Sequence, residues 1–274
     1  MDFQTSRNFK NRPLGVFDSG IGGLTVLKEL KKILPGEDIV YFGDTARVPY
    51  GTKSKETVTR FSIQNADFLV KLGVKMIVVA CNTSSSYSLE VLKRRFSIPV
   101  IGVIEPGAIE AVNSTKNMRI GVIGTRATVS SGAYKDAIKR IEKGISVKSM
   151  SCPLFVPLAE EGWFNNDITA MVASYYLKGL KREKIDTIIL GCTHYPLLKR
   201  VVSNFFGPRV FIVDSAVQTS RMVKETLLNN DIASKKKSGG VYRFYVSDEP
   251  GLFKKVGSKF LGSKITFVKK VNIG

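Results

Sequence analysis

Histidine and tryptophan occur once each in this chain of 274 residues, and cysteine only three times. So few thiols, odd in number, do not make a disulfide framework, and the chain reads as cytoplasmic. A single imidazole, His194, with no second ligand pair at zinc spacing, makes metal binding the weaker interpretation of the Cys192–His194 pair; no metal is expected. No apolar run reaches the roughly 18 residues of a membrane span. The segment Met1–Arg12 is polar and lacks the apolar stretch of a signal peptide. Nucleotide fingerprints are missing too. The loop Phe17–Gly23 places Thr25 where a dinucleotide motif needs its third glycine, and Asp18 would repel a pyrophosphate. No glycine-Lys-Ser/Thr phosphate loop occurs.

Acidic residues are scarce: 23 Asp and Glu stand against 42 Lys and Arg, a formal charge of +19. Such a surface attracts nucleic acid or anionic membrane non-specifically and steers anionic small molecules. From Ala216 to Gly274 there are 12 Lys and Arg against 4 Asp and Glu. The densest point, Lys235-Lys236-Lys237-Ser238-Gly239-Gly240, has no aromatic interleaving and reads as a solvated loop between a helix and a strand. With no helix-turn-helix, zinc or aromatic RNA-reading signature, nucleic acid is expected only as a non-specific or secondary partner, and no membrane partner is expected.

What the chain does have is regular alternation of β-branched runs with helical patterns. Strands are expected at Leu14–Asp18, Asp38–Phe42, Met76–Ala80, Val100–Val103, Ile120–Ile123, Val147–Met150, Thr187–Leu190, Val210–Val213 and Val241–Val246. Helices are expected at Gly23–Leu34, Lys53–Leu72, Ser84–Phe96, Ser130–Lys143, Asp167–Lys181, Pro196–Phe206, Ala216–Asn229 and Gly251–Leu261. This β-then-α order predicts an α/β fold of mainly parallel sheets with helices on both faces. Gly15–Gly20 resembles Gly121–Arg126, each leading into a helix, which suggests an internal duplication. The chain is therefore expected to form two similar three-layer α/β domains related by a pseudo-twofold. The first takes residues 1–104 and 215–274, the second 105–214, with a cleft between them.

The cysteines repeat one pattern. Val78-Val79-Ala80-Cys81-Asn82-Thr83 and Ile189-Leu190-Gly191-Cys192-Thr193-His194 are both apolar strands ending in a small residue, a thiol and polar residues. Either cysteine alone reads as core packing. Together, at equivalent carboxyl edges of parallel strands, they deliver two thiols to the place where α/β proteins bind ligands. Two thiols on opposite sides of one carbon suit removal of a proton from one face and its return on the other. Cys152, before Pro153, has no polar company and is assigned to structure. Asp18 and Ser19 open a glycine-rich helix start that can seat a carboxylate or simply cap the helix. His194, two residues from Cys192, can take a thiol proton near neutral pH. The loop Tyr41–Gly51 is a candidate cleft wall or a plain connector.

Four stretches taken in order, Asp18–Gly23, Pro49-Tyr50-Gly51, Ala80–Thr83 and Gly191–Pro196, resemble the glutamate racemases, over about Leu14 to Asp214. Aspartate racemases are relatives. The resemblance implies an isomerase of two α/β domains, with no cofactor, interconverting L- and D-glutamate and supplying D-glutamate for bacterial peptidoglycan. It implies Cys81 and Cys192 as the proton donor/acceptors, assisted by Asp18 and His194, with Glu160 or its neighbour Glu161 as a further carboxylate. Ser19, Tyr50, Gly51, Asn82, Thr83 and Thr193 would bind the amino acid, with Thr125 and Thr128 as further contacts. A homodimer is the expected assembly. The rival readings are a racemase for another acidic amino acid such as aspartate, and a basic nucleic-acid-associated protein.

Overall fold

The computed structural model describes residues 7–274; the first six residues of the polar segment Met1–Arg12 lie outside them. Ten strands are present among the described residues: β1 Leu14–Asp18, β2 Ile39–Gly43, β3 Met76–Val79, β4 Val100–Gly102, β5 Arg119–Gly124, β6 Ser146–Ser151, β7 Thr187–Gly191, β8 Phe211–Asp214, β9 Tyr242–Val246 and β10 Lys269–Lys270. They form two sheets, ordered β10-β9-β2-β1-β3-β4 and β6-β5-β7-β8. Every pairing is parallel.

The duplication is visible in this order. The run β2-β1-β3-β4 of one sheet is repeated as β6-β5-β7-β8 of the other. Cys81 follows β3 and Cys192 follows β7, so the two thiols leave topologically equivalent strands. The last segment of the chain returns to the first sheet through β9, which pairs with β2 from Ile39↔Tyr242 to Gly43↔Val246.

Parallel strands read as continuous apolar runs because both faces are covered. Val16 and Val78 face one buried cluster, while Phe17 and Val79 face another on the opposite side of the sheet. In the second sheet Val122 and Ile189 pack one way, Ile123 and Leu190 the other. One core cluster runs from Leu14 and Val16 to Leu190 and Leu198, so apolar packing is continuous between the two halves.

One expected helix is divided, and helices Ile104–Ser114 and Phe155–Glu160 were not expected. The helix expected over Ser130–Lys143 is two, Arg126–Ser130 and Ala133–Ile141, because Gly132 adopts a left-handed φ of 69° between them. The expected domain boundary at residues 104/105 falls inside helix Ile104–Ser114; Pro106 sits in its first turn, where its missing N–H costs no bond. Helix Phe155–Glu160 is too short to show a period in sequence. The Lys235–Lys237 run is an exposed loop between helix Ser215–Asn229 and β9, as expected. No helix among the described residues is long and apolar enough to cross a membrane.

Candidate active site

The carboxyl edges of the two sheets face one cavity of about 300 Å³. From the first sheet come Ser19, Tyr50, Gly51, Cys81, Asn82 and Thr83. From the second come Thr125, Glu160, Cys192, Thr193 and His194, with Val156 and Pro157 adding apolar surface. Eleven residues singled out from the sequence therefore meet in one place, although they span positions 19 to 194. Asp18 and Thr128 lie one layer behind the wall, both buried. Among the described residues no group of three or more His, Cys, Asp or Glu is placed to hold a metal ion.

Close approach of backbone explains the glycines. A Cβ on Gly22 would lie 2.2 Å from Thr193 Oγ1 and 2.6 Å from His194 Nδ1, so only glycine lets the β1 loop touch the loop after β7. A Cβ on Gly51 would meet that of Thr125 at 2.6 Å. Across the first contact the Thr193 hydroxyl donates to Asp18 Oδ2 at 3.3 Å. The Gly20 N–H donates to Asp18 Oδ1 at 2.9 Å. Asp18 also accepts the backbone N–H of Gly23, the N-cap residue of helix Leu24–Ile33, so the carboxylate sits at that helix start as well as behind the cavity wall. Burial raises the Asp18 pKa above the ordinary carboxylate value, against the pull of His194 and of these donors.

Cys81 is the N-cap of helix Asn82–Arg95. A helix start favours a thiolate, yet burial, and then the negative charge of Asp18, push this thiol up to about 11. The Ser84 N–H and the Ser19 hydroxyl, 3.6 Å from Sγ, pull the other way without winning. Around Cys192 the neighbours differ. His194 Nδ1 stands 3.7 Å from the Cys192 sulfur, and His194 Nε2 lies 3.0 Å from Glu160 Oε1. Burial opposes the imidazolium, but bonding to Cys192 and Glu160 outweighs it and raises His194 to about 10. The edge of the Phe260 ring, at a centroid distance of 5.4 Å, closes the remaining side of the imidazole. Glu160 keeps about 40% of its side chain exposed to solvent. Glu161 is exposed and outside the cavity, so of the two adjacent carboxylates Glu160 is the one that reaches the imidazole. Cys152 is fully buried, as its structural reading requires.

Donors ring the rest of the cavity. Thr83 and Thr125 lie 2.9 Å apart through their hydroxyls, and Thr128 backs both at 3.3 and 3.0 Å. Asn82 accepts a bond from the Tyr134 phenol at 2.7 Å through Oδ1, while its Nδ2 is buried with no partner. A buried unpaired N–H is costly, so this amide is suited to receive a ligand oxygen. Sequence reading missed two supports. Asp44, fully buried, accepts from Tyr50 Oη, from Arg47 Nε at 2.7 Å and from Ser247 Oγ at 2.9 Å, which fixes the Tyr50 wall. Tyr134 fixes Asn82 from the other half of the molecule. Tyr134 acts through a residue distant in sequence, and the short-range contacts of Asp44 with Arg47 and Tyr50 follow no period or motif that marks them beforehand.

The family described as Asp/Glu/Hydantoin racemase matches residues 15–221. The chain is 53% identical over 262 residues to a glutamate racemase of Geobacter metallireducens, covering 96% of this chain and 97% of that one. A crystal structure of glutamate racemase from Francisella tularensis in complex with D-glutamate superimposes with a TM-score of 0.91 at 42% identity, over 96% of this chain and 98% of that one. A glutamate racemase isoform from Bacillus anthracis gives a TM-score of 0.93 at 38% identity, with 96% and 98% covered.

Proposed function

The chain belongs to the Asp/Glu/Hydantoin racemase family, and on that premise we propose that it interconverts L- and D-glutamate by two-thiol proton transfer at Cα, supplying D-glutamate for bacterial peptidoglycan. Two cysteines at equivalent strand ends of a repeated fold, opening on one small cavity, carry this assignment.

Cys81 and Cys192 are the two proton carriers. In one direction the Cys192 thiolate removes the α-proton, its own proton having passed to His194, and the protonated Cys81 delivers a proton to the other face. In the reverse direction Cys81 is the base and Asp18 lies behind it to take up the thiol proton. An Asp18 pKa raised by burial favours that role, because a carboxylate in water would be too weak a base. Each turnover transfers one proton in and one out, and needs no cofactor. Charge develops on the α-carboxylate in the transition state. The unpaired Asn82 Nδ2, the Thr83 hydroxyl and the helix start after Cys81 supply donors there, where they stabilise the transition state more than the ground state, while Thr193 lines the wall with its hydroxyl turned to Asp18. Ser19, Tyr50, Gly51 and Thr125 shape the remaining walls, with Thr128 bracing Thr83 and Thr125 from behind.

The same reading divides the chain at its two sheets, residues 1–104 with 215–274 and residues 105–214, in a cytoplasmic homodimer. In deuterated water, turnover is expected to place deuterium on Cα of the product. Rates on L-glutamate and L-aspartate measured side by side test the substrate: a higher kcat/KM on aspartate would replace glutamate in this reading. Near-wild-type rates in Cys81→Ala or Cys192→Ala would remove the two-thiol mechanism.

A further inference from the structure

A second recess lies at the other end of the smaller sheet. It encloses about 1280 Å³ and is walled by the residues leading into β5, β7 and β8. Because these strands are parallel, all three entries fall at the amino-terminal edge, opposite the edge that carries Cys192. Its cations are Lys116, Lys181, Lys184, Lys199 and Arg209, all exposed. Lys181 is engaged with the Phe205 carbonyl at 3.0 Å. The other four make no ion pair among the described residues. The one carboxylate of the recess, Asp186, is occupied by Thr115 Oγ1 at 2.6 Å and by the Lys116 and Asn117 N–H groups at 2.7 Å each. Between the cations the Phe211 ring is 48% exposed on edge strand β8.

We propose that this basic recess is a binding site for single-stranded nucleic acid, independent of the racemisation site. Lys116, Lys184, Lys199 and Arg209 contact successive phosphates, and a base stacks on Phe211. An open cavity about four times the size of the catalytic one suits a strand better than a single phosphate. Its concave form keeps the cations away from a flat bilayer surface. Cationic grooves with an aromatic platform are the general solution for single strands, with each stacked base contributing about 1–3 kcal/mol.

Fluorescence anisotropy of a labelled 20-nucleotide oligothymidylate with the full chain tests this. Four phosphate contacts predict a slope of log K against log salt near −3, or about 60-fold weaker binding at 200 than at 50 mM salt. Lys116→Glu/Lys184→Glu/Arg209→Glu is expected to weaken binding at least ~10-fold while glutamate racemisation stays within about twofold. Phe211→Ala is expected to weaken it about fivefold or more. The loop variant Lys235→Glu/Lys236→Glu/Lys237→Glu removes the same charge elsewhere and is expected to leave binding within about threefold. If the triple recess variant does not fold, Lys116→Glu and Arg209→Glu singly carry the same comparison. Equal losses in recess and loop variants, no binding at 50 mM salt, or recess-dependent binding to phosphatidylserine vesicles that displaces the oligonucleotide would each overturn the proposal.

Discussion

The two thiols stand at equivalent places in a repeated fold, yet their surroundings are opposite. Behind Cys81 is a buried carboxylate, Asp18, held by the Gly20 N–H and the Thr193 hydroxyl. Beside Cys192 is an imidazole, His194, tied to a half-exposed carboxylate, Glu160. Burial, and then the charge of Asp18, keep the Cys81 thiol protonated, up to about 11. A proton-holding ring beside Cys192, itself raised to about 10, provides a place for that thiol's proton. Duplication supplied the symmetry that two-sided proton transfer needs. Divergence of the neighbours then set a buried carboxylate behind one thiol and an imidazole beside the other, the difference in environment that the proposed acid and base roles require.

Removing either thiol breaks the comparison outright. Cys81→Ala and Cys192→Ala are each expected to lower kcat by about 10³-fold or more, measured by circular dichroism of the racemising amino acid. Asp18→Asn comes next, with an expected loss of roughly 10²-fold in kcat. It removes a buried charge whose neutral form burial already favours, so its melting temperature should not fall; a large fall would show that Asp18 is needed for folding. Gly22→Ala would wedge a methyl group against Thr193 and His194, at the contact between the two thiol loops. A loss of about tenfold or more in kcat/KM is expected, since small misplacements at a reacting site are costly.

Stability against pH separates the two sides. His194 has a folded pKa above its unfolded value, so it stabilises the fold fully below about 6.5 and loses that stabilisation as pH rises through about 10. Unfolding free energy should fall across that window, by up to about 1.4 kcal/mol per pH unit, and His194→Asn should flatten the slope. The raised Cys81 gives the same sign in a later window, from about 9 to about 11, removed by Cys81→Ser instead. Urea titrations at pH 6, 8 and 10 read both. The smallest effect is expected from Tyr134→Phe, which frees the Asn82 amide to turn. kcat should fall about threefold to tenfold with KM within about twofold; a rise in KM alone would confine Asn82 to ground-state binding instead.

Inner strands such as β1, β3 and β7 were legible because they are apolar on both faces, while edge strand β6 offered only Val147 and Met150 as an apolar signal. All nine expected from the sequence are present, to within a residue or two at their ends. β10 was missed: two lysines, Lys269 and Lys270, pair at an exposed edge and leave no apolar signature. The break at Gly132 was missed because helical periodicity on both sides hides a single left-handed residue. In the cavity, residues carried by loop motifs such as Cys81-Asn82-Thr83 were legible. Asp44, Tyr134 and Phe260 were not, since each contacts the site from an element whose own sequence is ordinary.

By itself the sequence determined the alternation of strands and helices, and the placing of two thiols at matched strand ends. Periodicity and turn chemistry are local properties, written in neighbouring residues. Tertiary structure alone decided which carboxylate reaches His194, that Asp18 is fully buried behind Cys81, and that a Tyr134 phenol holds Asn82. Those outcomes depend on distances between residues far apart in the chain, and on burial, which only the packed molecule sets.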